Sequence, residues 1–298
     1  MSDHVADDAT ETFVAHRNLL FTVAYEMLGS AADAEDVLQE SWLRWSQVDQ
    51  SQVREPRAYL VCIVTRQALN QLRTVSRRRE EYVGEWLPEP LITSPDVAED
   101  VELAESLSMA MLTVLETLGP TERAVFVLRE VFDVPYDEIA EAVGKTPAAV
   151  RQIAHRAKEH VAARRPRIEV DPAEQEQVVE RFLAAFNTGD LQGLMDALAP
   201  DVVAVADGGG KVRGAARRPI VGADKLVAYV LGGLAKFGVT PVATPAWVNG
   251  GPGARVEVDG AIVAALSFTI EHGRITRIFS VANPEKLERL DTESAIAR

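Results

Sequence analysis

The sequence predicts a multidomain protein in which two all-α helical domains, the second containing a helix-turn-helix, precede a C-terminal α+β domain. The chain has 298 residues, 47% of them apolar and 26% charged, which is enough for about two or three folded domains. In the first half, apolar residues recur at helical spacing between breaks rich in proline or charge. In the last third, two-residue hairpin signals separate short apolar runs, which indicates antiparallel strands.

Composition excludes several classes of protein. The single cysteine, Cys62, rules out a disulfide framework, and we interpret it as a small core residue. No run of about 18 apolar residues occurs and the N-terminus is acidic, so we expect a soluble, cytoplasmic protein without a membrane partner. No His, Cys or acidic spacing matches a metal motif, and the glycines lack Walker spacing, so neither a metal nor a cofactor is expected.

The charge is unevenly distributed along the chain. The formal net charge is -14, yet residues 145–165 carry six basic residues and one acidic residue. A second basic cluster lies between Arg66 and Arg79, whereas the first 50 residues hold two basic and ten acidic residues. Two basic patches in an acidic chain suit a protein that contacts DNA locally and another protein elsewhere.

Three helices are predicted in the first domain, over residues 1–80. The first covers Phe13–Leu28 and ends at Gly29, and the third runs from about Arg57 to Arg79 with a basic end. Between them, Ser30–Asp33 offers N-cap oxygens to a helix with one apolar face and one acidic face. The residues of the apolar face are Ala34, Val37, Leu38, Ser41, Trp42 and Trp45.

Residues 81–105 are expected to form a linker. Pro88, Pro90 and Pro95 forbid a continuous helix there. The run Trp86-Leu87-Pro88-Glu89-Pro90-Leu91 is nevertheless more apolar than a flexible linker. These apolar side chains must be shielded from water, and the C-terminal domain is the large unassigned surface that could bury them. We therefore expect that domain to clasp the linker.

The second domain is predicted over residues 106–166. A helical stretch, Val101–Leu118, leads into it, and the helix-turn-helix follows. Gly144 ends one short helix, Thr146 can cap the next, and Pro147 fits the first helical position. Val150, Ala154 and Ala157 then share one face, so the opposite face is free for the major groove. We expect that face to contact DNA through Ala148, Arg151, Gln152, His155, Arg156 and Lys158.

A second linker, Pro166–Pro172, precedes the α+β domain of residues 172–298. Helices are predicted over Glu174–Asn187, Leu191–Leu198 and Asp224–Leu234, and strands over Val202–Ala206, Ala254–Val258, Ala261–Ile270 and Arg274–Val281. The dipeptides Asp259-Gly260 and His272-Gly273 join the last three strands into a meander. Helices packed on such a curved sheet can enclose a pocket.

Three segments of the helical half resemble one family. The runs Ala34–Trp45, Pro56–Arg73 and Ala148–Lys158 are similar to those of bacterial RNA polymerase sigma factors of the extracytoplasmic-function (ECF) group. The resemblance covers roughly the first 165 residues and implies a region that binds the promoter −10 element and a region that binds the −35 element. It implies core RNA polymerase and promoter DNA as partners.

The resemblance also implies roles for particular residues. The acidic helix would dock on the polymerase through Asp36, Gln39, Glu40 and Trp42, whereas we assign Trp45 to the core. Contacts to the −10 element would come from Arg54, Arg66, Asn70, Arg73 and Arg77.

The C-terminal half resembles a SnoaL-like domain of the NTF2-like superfamily, a cone-shaped α+β fold, as found fused to one group of these sigma factors. The resemblance implies that this domain regulates the sigma activity from within the same chain. Its motifs supply the expected interdomain residues Trp86, Leu87, Pro88, Leu91, Asp207, Gly208, Gly209, Gly210, Lys211, Asn283, Pro284, Lys286 and Leu287. The glycines are equally consistent with a turn that requires positive φ.

Two alternatives remain at this point. One is a helix-turn-helix regulator that binds duplex DNA without polymerase and senses a small molecule through the C-terminal pocket. The other is a SnoaL-like isomerase or cyclase, with Asp207 or His272 as general base. Both residues belong to loops, so we expect them at rims and expect no catalysis. A small-molecule ligand of the C-terminal domain stays an open partner.

Overall fold

A computed structural model describes residues 2–164 and 172–298. The predicted linker Pro166–Pro172 therefore lies outside the described residues, apart from Pro172, which begins a helix. The chain divides into two compact units. The first comprises the described parts of Met1–Glu80, Val114–Arg165 and Ala295–Arg298, and the second those of Glu81–Thr113 and Pro166–Ser294.

The first unit is built mostly from helices, whereas the second combines helices with the strands of one sheet. In chain order the α-helices are α1 Ser2–Leu28, α2 Ala31–Trp45, α3 Pro56–Glu80, α4 Val101–Leu107, α5 Met109–Leu115, α6 Pro120–Phe126, α7 Tyr136–Val143, α8 Pro147–Ala162, α9 Pro172–Thr188, α10 Leu191–Ala197 and α11 Ala223–Phe237. The strands are β1 Leu198–Asp207, β2 Ile220–Val221, β3 Val242–Val248, β4 Gly251–Val258, β5 Ala261–Glu271 and β6 Arg274–Val281. Within the described residues no helix is long and apolar enough to cross a bilayer.

The first three helices pack into a bundle. Trp45 is 1% exposed, and its indole Nε1–H donates to the carbonyl of Ala9 at 2.9 Å, which confirms Trp45 as a core residue. Helix α1 begins at Ser2, 11 residues earlier than predicted at Phe13, because no glycine or proline interrupts the acidic segment. Ser30 caps α2 by accepting from the Asp33 N–H at 3.2 Å.

The helix-turn-helix forms as predicted. Gly144 adopts φ 67° at the end of α7, and the Thr146 hydroxyl accepts from the Ala149 N–H at the start of α8. The predicted single helix Val101–Leu118 is wrong, because it breaks at Ser108 into α4 and α5. The Ser108 Oγ accepts from the Met111 N–H at 3.1 Å, so this side chain caps a new helix.

The second unit contains one mixed sheet with the order β2-β1-β6-β5-β4-β3. Strand β1 is parallel to β6, and the other pairs are antiparallel. Both predicted hairpins are confirmed: Asp259 and His272 have φ 52° and each precedes a glycine with positive φ. The sequence prediction missed β2, which has two residues, and β3, which contains Pro245 at the sheet edge.

Both faces of this sheet are covered. Helices α9 to α11 pack on one face around Phe182, Leu226 and Ile278. On the opposite face, Phe279 and Val281 of β6 form a cluster with Leu87, Met109 and Ala110. Residues of the predicted linker are therefore part of this α+β unit, which supplies the expected apolar cover. Burying a leucine of this kind stabilises a fold by about 1.5 to 3 kcal/mol.

Candidate functional site

The predicted DNA-reading residues share one surface of α8. Ala148, Arg151, Gln152, His155, Arg156 and Lys158 are all exposed. Val150, Ile153, Ala154, Ala157 and Val161 are buried on the other side of the helix. The arrangement leaves the predicted side chains accessible while the helix is held by its apolar face.

Neighbouring side chains modify the charge on this surface. The Lys158 Nζ lies 2.6 Å from Glu130 Oε2, so this carboxylate partly neutralises its ammonium. The Arg151 guanidinium lies 6.0 Å from the ring centroid of Tyr136, at the outer limit of a cation–π contact. Arg151 is therefore the less engaged of the two cations.

The acidic face of α2 is likewise accessible. Asp36, Gln39 and Glu40 are exposed. Trp42 is half-buried, with its ring in an edge-to-face contact with Phe13 at 5.4 Å between centroids. This surface combines part of an aromatic ring, a residue type enriched at protein interfaces, with carboxylates that can attract a basic partner surface.

The residues predicted for the −10 element lie on α3 and the loop before it. Arg66, Asn70 and Arg73 are exposed at helical spacing, and Arg54 is exposed on the preceding loop. The side chain of Arg77 lies outside the described residues. Arg66 Nη2 donates to the carbonyl of Glu141 at 2.9 Å, so this arginine is engaged with α7 in the free chain.

Arg123 is a buried residue that sequence reasoning missed. It is 2% exposed, and its Nε donates to the carbonyl of Glu26 at 2.8 Å. Its Nη1 forms a close ion pair with Glu116. Burial lowers the pKa of the guanidinium to about 9, so it stays protonated at neutral pH. The contact ties α6 to α1 within the first unit.

Asp207 is the centre of a buried polar site in the second unit. Its carboxylate accepts from the Tyr82 hydroxyl at 2.6 Å, the Leu87 N–H at 2.9 Å and the Gly209 N–H at 3.0 Å. It also pairs with Lys286 Nζ at 2.7 Å. Asp207 is fully buried, so the expectation that it lies at a rim is wrong. Its four donors replace the water that a loop carboxylate normally keeps.

The ammonium of Lys286 joins the same site. It lies 4.1 Å from the ring centroid of Trp86 and 5.1 Å from that of Tyr82. It also donates to the carbonyl of Leu87. Asn283 donates through Nδ2 to the Tyr82 hydroxyl at 2.8 Å. Burial and the bond to Asp207 raise the pKa of Tyr82, which keeps its hydroxyl a donor. We name this cluster of Tyr82, Trp86, Leu87, Asp207, Asn283 and Lys286 the linker site.

Two glycines let the loop after β1 approach the linker site. Gly209 and Gly210 have φ 59° and 70°, which confirms the predicted positive-φ turn. A Cβ at Gly209 would lie 2.6 Å from Cγ of Asn283, and one at Gly210 would lie 2.9 Å from Cβ of Val83. Both positions therefore require glycine for conformation and for space. Lys211, next in the loop, forms an ion pair with Glu285.

A second polar contact holds the linker further along, at a residue the sequence prediction missed. Asn249 accepts from the Leu91 N–H through Oδ1 at 3.1 Å and donates its own N–H to the Leu91 carbonyl at 2.9 Å. Its Nδ2 donates to the carbonyl of Leu107 at 3.1 Å. The Asn249-Gly250 dipeptide is a hairpin signal that could have located this turn.

The other predicted linker residues have different environments. Leu87 and Leu91 are 1% exposed, Pro88 is buried, and Trp86 and Leu287 are half-buried. Gly208 lies in the loop after β1, while Pro284 is exposed in a short 3₁₀ turn.

An apolar cavity of about 350 Å³ lies between the helices and the sheet of the second unit. Phe186, Leu226, Leu266 and Ile278 are among the residues that line it. The described lining residues include neither Asp207 nor His272, and His272 is exposed at its hairpin. Among the described residues no group of His, Cys, Asp or Glu could hold a metal. Cys62 is half-buried, and burial raises its thiol pKa.

Comparison with known proteins places the chain in a family. The Sigma-70 region 2 family model matches residues 12–78, and the Sigma-70, region 4 model matches residues 108–161. The ECF RNA polymerase sigma factor SigJ of Mycobacterium tuberculosis is 40% identical over 290 residues, which are 92% of this chain and 91% of that protein.

Two further similarities extend over nearly the whole chain. A protein named "Probable ECF RNA polymerase sigma factor SigI", from the same species, is 33% identical over 98% of this chain and 99% of its own. The crystal structure of SigJ aligns with a TM-score of 0.74 and 37% identity, covering 94% of this chain and 99% of that one. The chain therefore belongs to the ECF sigma factors of RNA polymerase.

Proposed function

We propose that this protein directs core RNA polymerase to specific promoters and that its C-terminal domain modulates this activity by holding the linker. The observation that carries the proposal is an exposed face on α8, bearing Arg151 and Gln152, in a chain that both sigma-70 region models match. Family membership favours this function over a polymerase-independent regulator and over an isomerase or cyclase.

Promoter recognition would combine two kinds of contact. Arg151 and Gln152 are suited to guanine and adenine edges in the −35 element, each good bidentate pair being worth about 1 to 3 kcal/mol of discrimination. Arg66, Asn70 and Arg73 would hold the −10 element. For Arg66 this requires release of the Glu141 carbonyl. The acidic face of α2 would dock on the polymerase.

The linker site supports regulation through the linker itself. A free flexible segment of about 25 residues would have an end-to-end distance of roughly 25 to 30 Å with wide fluctuation. Holding it at Asp207 and again at Asn249 removes most of that freedom between Tyr82 and Leu91. A signal that loosens these contacts would change the distances the two DNA-binding regions can span.

The C-terminal domain is proposed to act without catalysis. The candidate bases support this view, because Asp207 is saturated by donors of the linker site and His272 lies at an exposed hairpin. The cavity is lined mainly by aliphatic and aromatic side chains, which favours an apolar small molecule as a ligand.

The test is reconstitution with bacterial core RNA polymerase, followed by transcription from the DNA upstream of the protein's own gene. We expect the full chain to copurify with the core enzyme and to start transcripts at one site. Binding of duplex DNA by the chain alone, without copurification or initiation, would instead support a simple helix-turn-helix regulator.

A further inference from the structure

The loop from Lys211 to Arg218 is strongly basic. It contains four basic residues and no acidic one. Lys211 is paired with Glu285, whereas Arg213, Arg217 and Arg218 are exposed. Across the described parts of the chain, none of these three arginines forms an ion pair with a carboxylate. We call the three arginines the arginine cluster.

The loop that carries the cluster is anchored to its own domain. Its apolar residues Val212 and Ala215 line the cavity, and the Gly214 carbonyl accepts from the Tyr229 hydroxyl. The Lys211 N–H donates to the Gly208 carbonyl at 2.9 Å. Because the backbone is held on its inner side, three like charges are carried on one anchored stretch of six residues. An anion beside them would relieve their mutual repulsion.

The loop that carries the cluster lies against the start of the linker. A Cβ built on Gly84 would be 3.8 Å from Cα of Arg217, and one built on Gly210 would contact Val83. In the sequence, Gly84 follows the basic end of α3 by only five residues. The loop thus packs against the segment that connects the two regions proposed to bind promoter DNA.

We propose that Arg213, Arg217 and Arg218 bind the phosphate backbone of promoter DNA next to the −10 element. This inference rests on the proposed function and adds a third DNA contact, located on the C-terminal domain. Guanidinium groups match phosphate geometry through paired donors. The cluster lies on a loop with no helix or strand to enter a groove, so it recognises backbone charge and not base sequence.

The test uses reconstituted holoenzyme with the full chain and measures its affinity for promoter DNA and for a scrambled duplex at increasing salt. The variant Arg213→Gln/Arg217→Gln/Arg218→Gln should lower the slope of log affinity against log salt by about 2 to 3, on both DNAs. When salt is raised from about 50 to 200 mM, the loss of affinity should consequently be about 40-fold smaller for the variant than for the wild type.

Two further variants serve as controls. Arg181→Gln/Lys225→Gln/Lys236→Gln removes the same charge from exposed positions on α9 and α11 and should leave the slope unchanged. Replacing the three cluster arginines by lysine keeps the charge and should retain most of the wild-type slope.

Each outcome separates the two proposals. A wild-type slope in the glutamine variant, with initiation intact, would overturn the inference and leave the proposed function standing. Loss of binding to core polymerase without DNA would also overturn it, because the cluster would then contact the enzyme. If the wild-type chain fails to direct initiation at all, the proposed function itself fails.

Discussion

Replacing Asp207 by Asn tests whether the linker site holds the linker. The substitution keeps the size of the side chain but removes the charge that Lys286 faces at 2.7 Å. It also replaces one acceptor oxygen by an amide NH₂, which is a donor. The Tyr82 hydroxyl, the Leu87 N–H and the Gly209 N–H all donate to this carboxylate. At least one of them must lose its acceptor.

The size of the effect follows from burial. Breaking a buried ion pair by removing one partner costs about 3 to 5 kcal/mol. Lys286 is 12% exposed and Asp207 is 0% exposed, so partial access of water to the ammonium favours the lower end. A loss of about 3 kcal/mol in local stability corresponds to roughly a hundredfold increase in the population of the open linker.

Hydrogen exchange of the free full-length chain measures this opening. We expect the Leu87 amide, which donates directly to Asp207, to exchange roughly a hundredfold faster in Asp207→Asn. Asp259→Asn is the matched control, because Asp259 is exposed at a hairpin position with φ 52° that asparagine tolerates. Adding Lys286→Met to Asp207→Asn should cost less than the sum of the two single changes.

Unchanged exchange at Leu87 in Asp207→Asn would refute the reasoning. Equal acceleration in every helix and strand of the α+β unit would also count against it, because the change would then report global destabilisation. The expected pattern is confined to the linker and the loop after β1.

Three further predictions concern α8, α2 and the Tyr82 hydroxyl. Arg151→Ala should cost about 1 to 3 kcal/mol of promoter discrimination in competition binding, whereas Lys158→Ala should weaken all sequences alike and lower the salt slope by about 0.9. Glu40→Lys, on the acidic face of α2, should weaken copurification with core polymerase. Asp259→Lys, which also reverses the charge of an exposed carboxylate, should not. Tyr82 has a pKa raised above 10.0, so the stability given by its neutral hydroxyl is present below pH 10.0 and lost at more alkaline pH. In an ultraviolet titration of tyrosinate, Tyr82→Phe should remove one late-ionising group, and an unchanged curve would contradict this assignment.

Local signals made the helix-turn-helix predictable. Gly144, Thr146 and Pro147 stand next to one another, and each has one conformational role that needs no distant partner. The Asp259-Gly260 and His272-Gly273 hairpins were predictable for the same reason. Sequence periodicity also identified the buried face of α2.

Distant partners made the linker site harder to predict. In the sequence, Asp207 is a polar residue that directly precedes a glycine turn. Its burial depends on contacts with Tyr82 and Leu87, which lie more than 100 residues away in the chain. Arg123 was missed because its acceptor, the carbonyl of Glu26, belongs to another helix. The motifs indicated that these segments matter, but the donors and acceptors that join them required the structure.

The most direct test of the account is transcription by reconstituted holoenzyme with the wild-type chain, Asp207→Asn and Asp259→Asn on the same promoter. The account predicts initiation from one site with the wild-type chain and with Asp259→Asn, and an altered transcript yield with Asp207→Asn at equal occupancy of the core enzyme. Equal yields from all three chains would contradict regulation through the linker, and no initiation by any of them would contradict the proposed function.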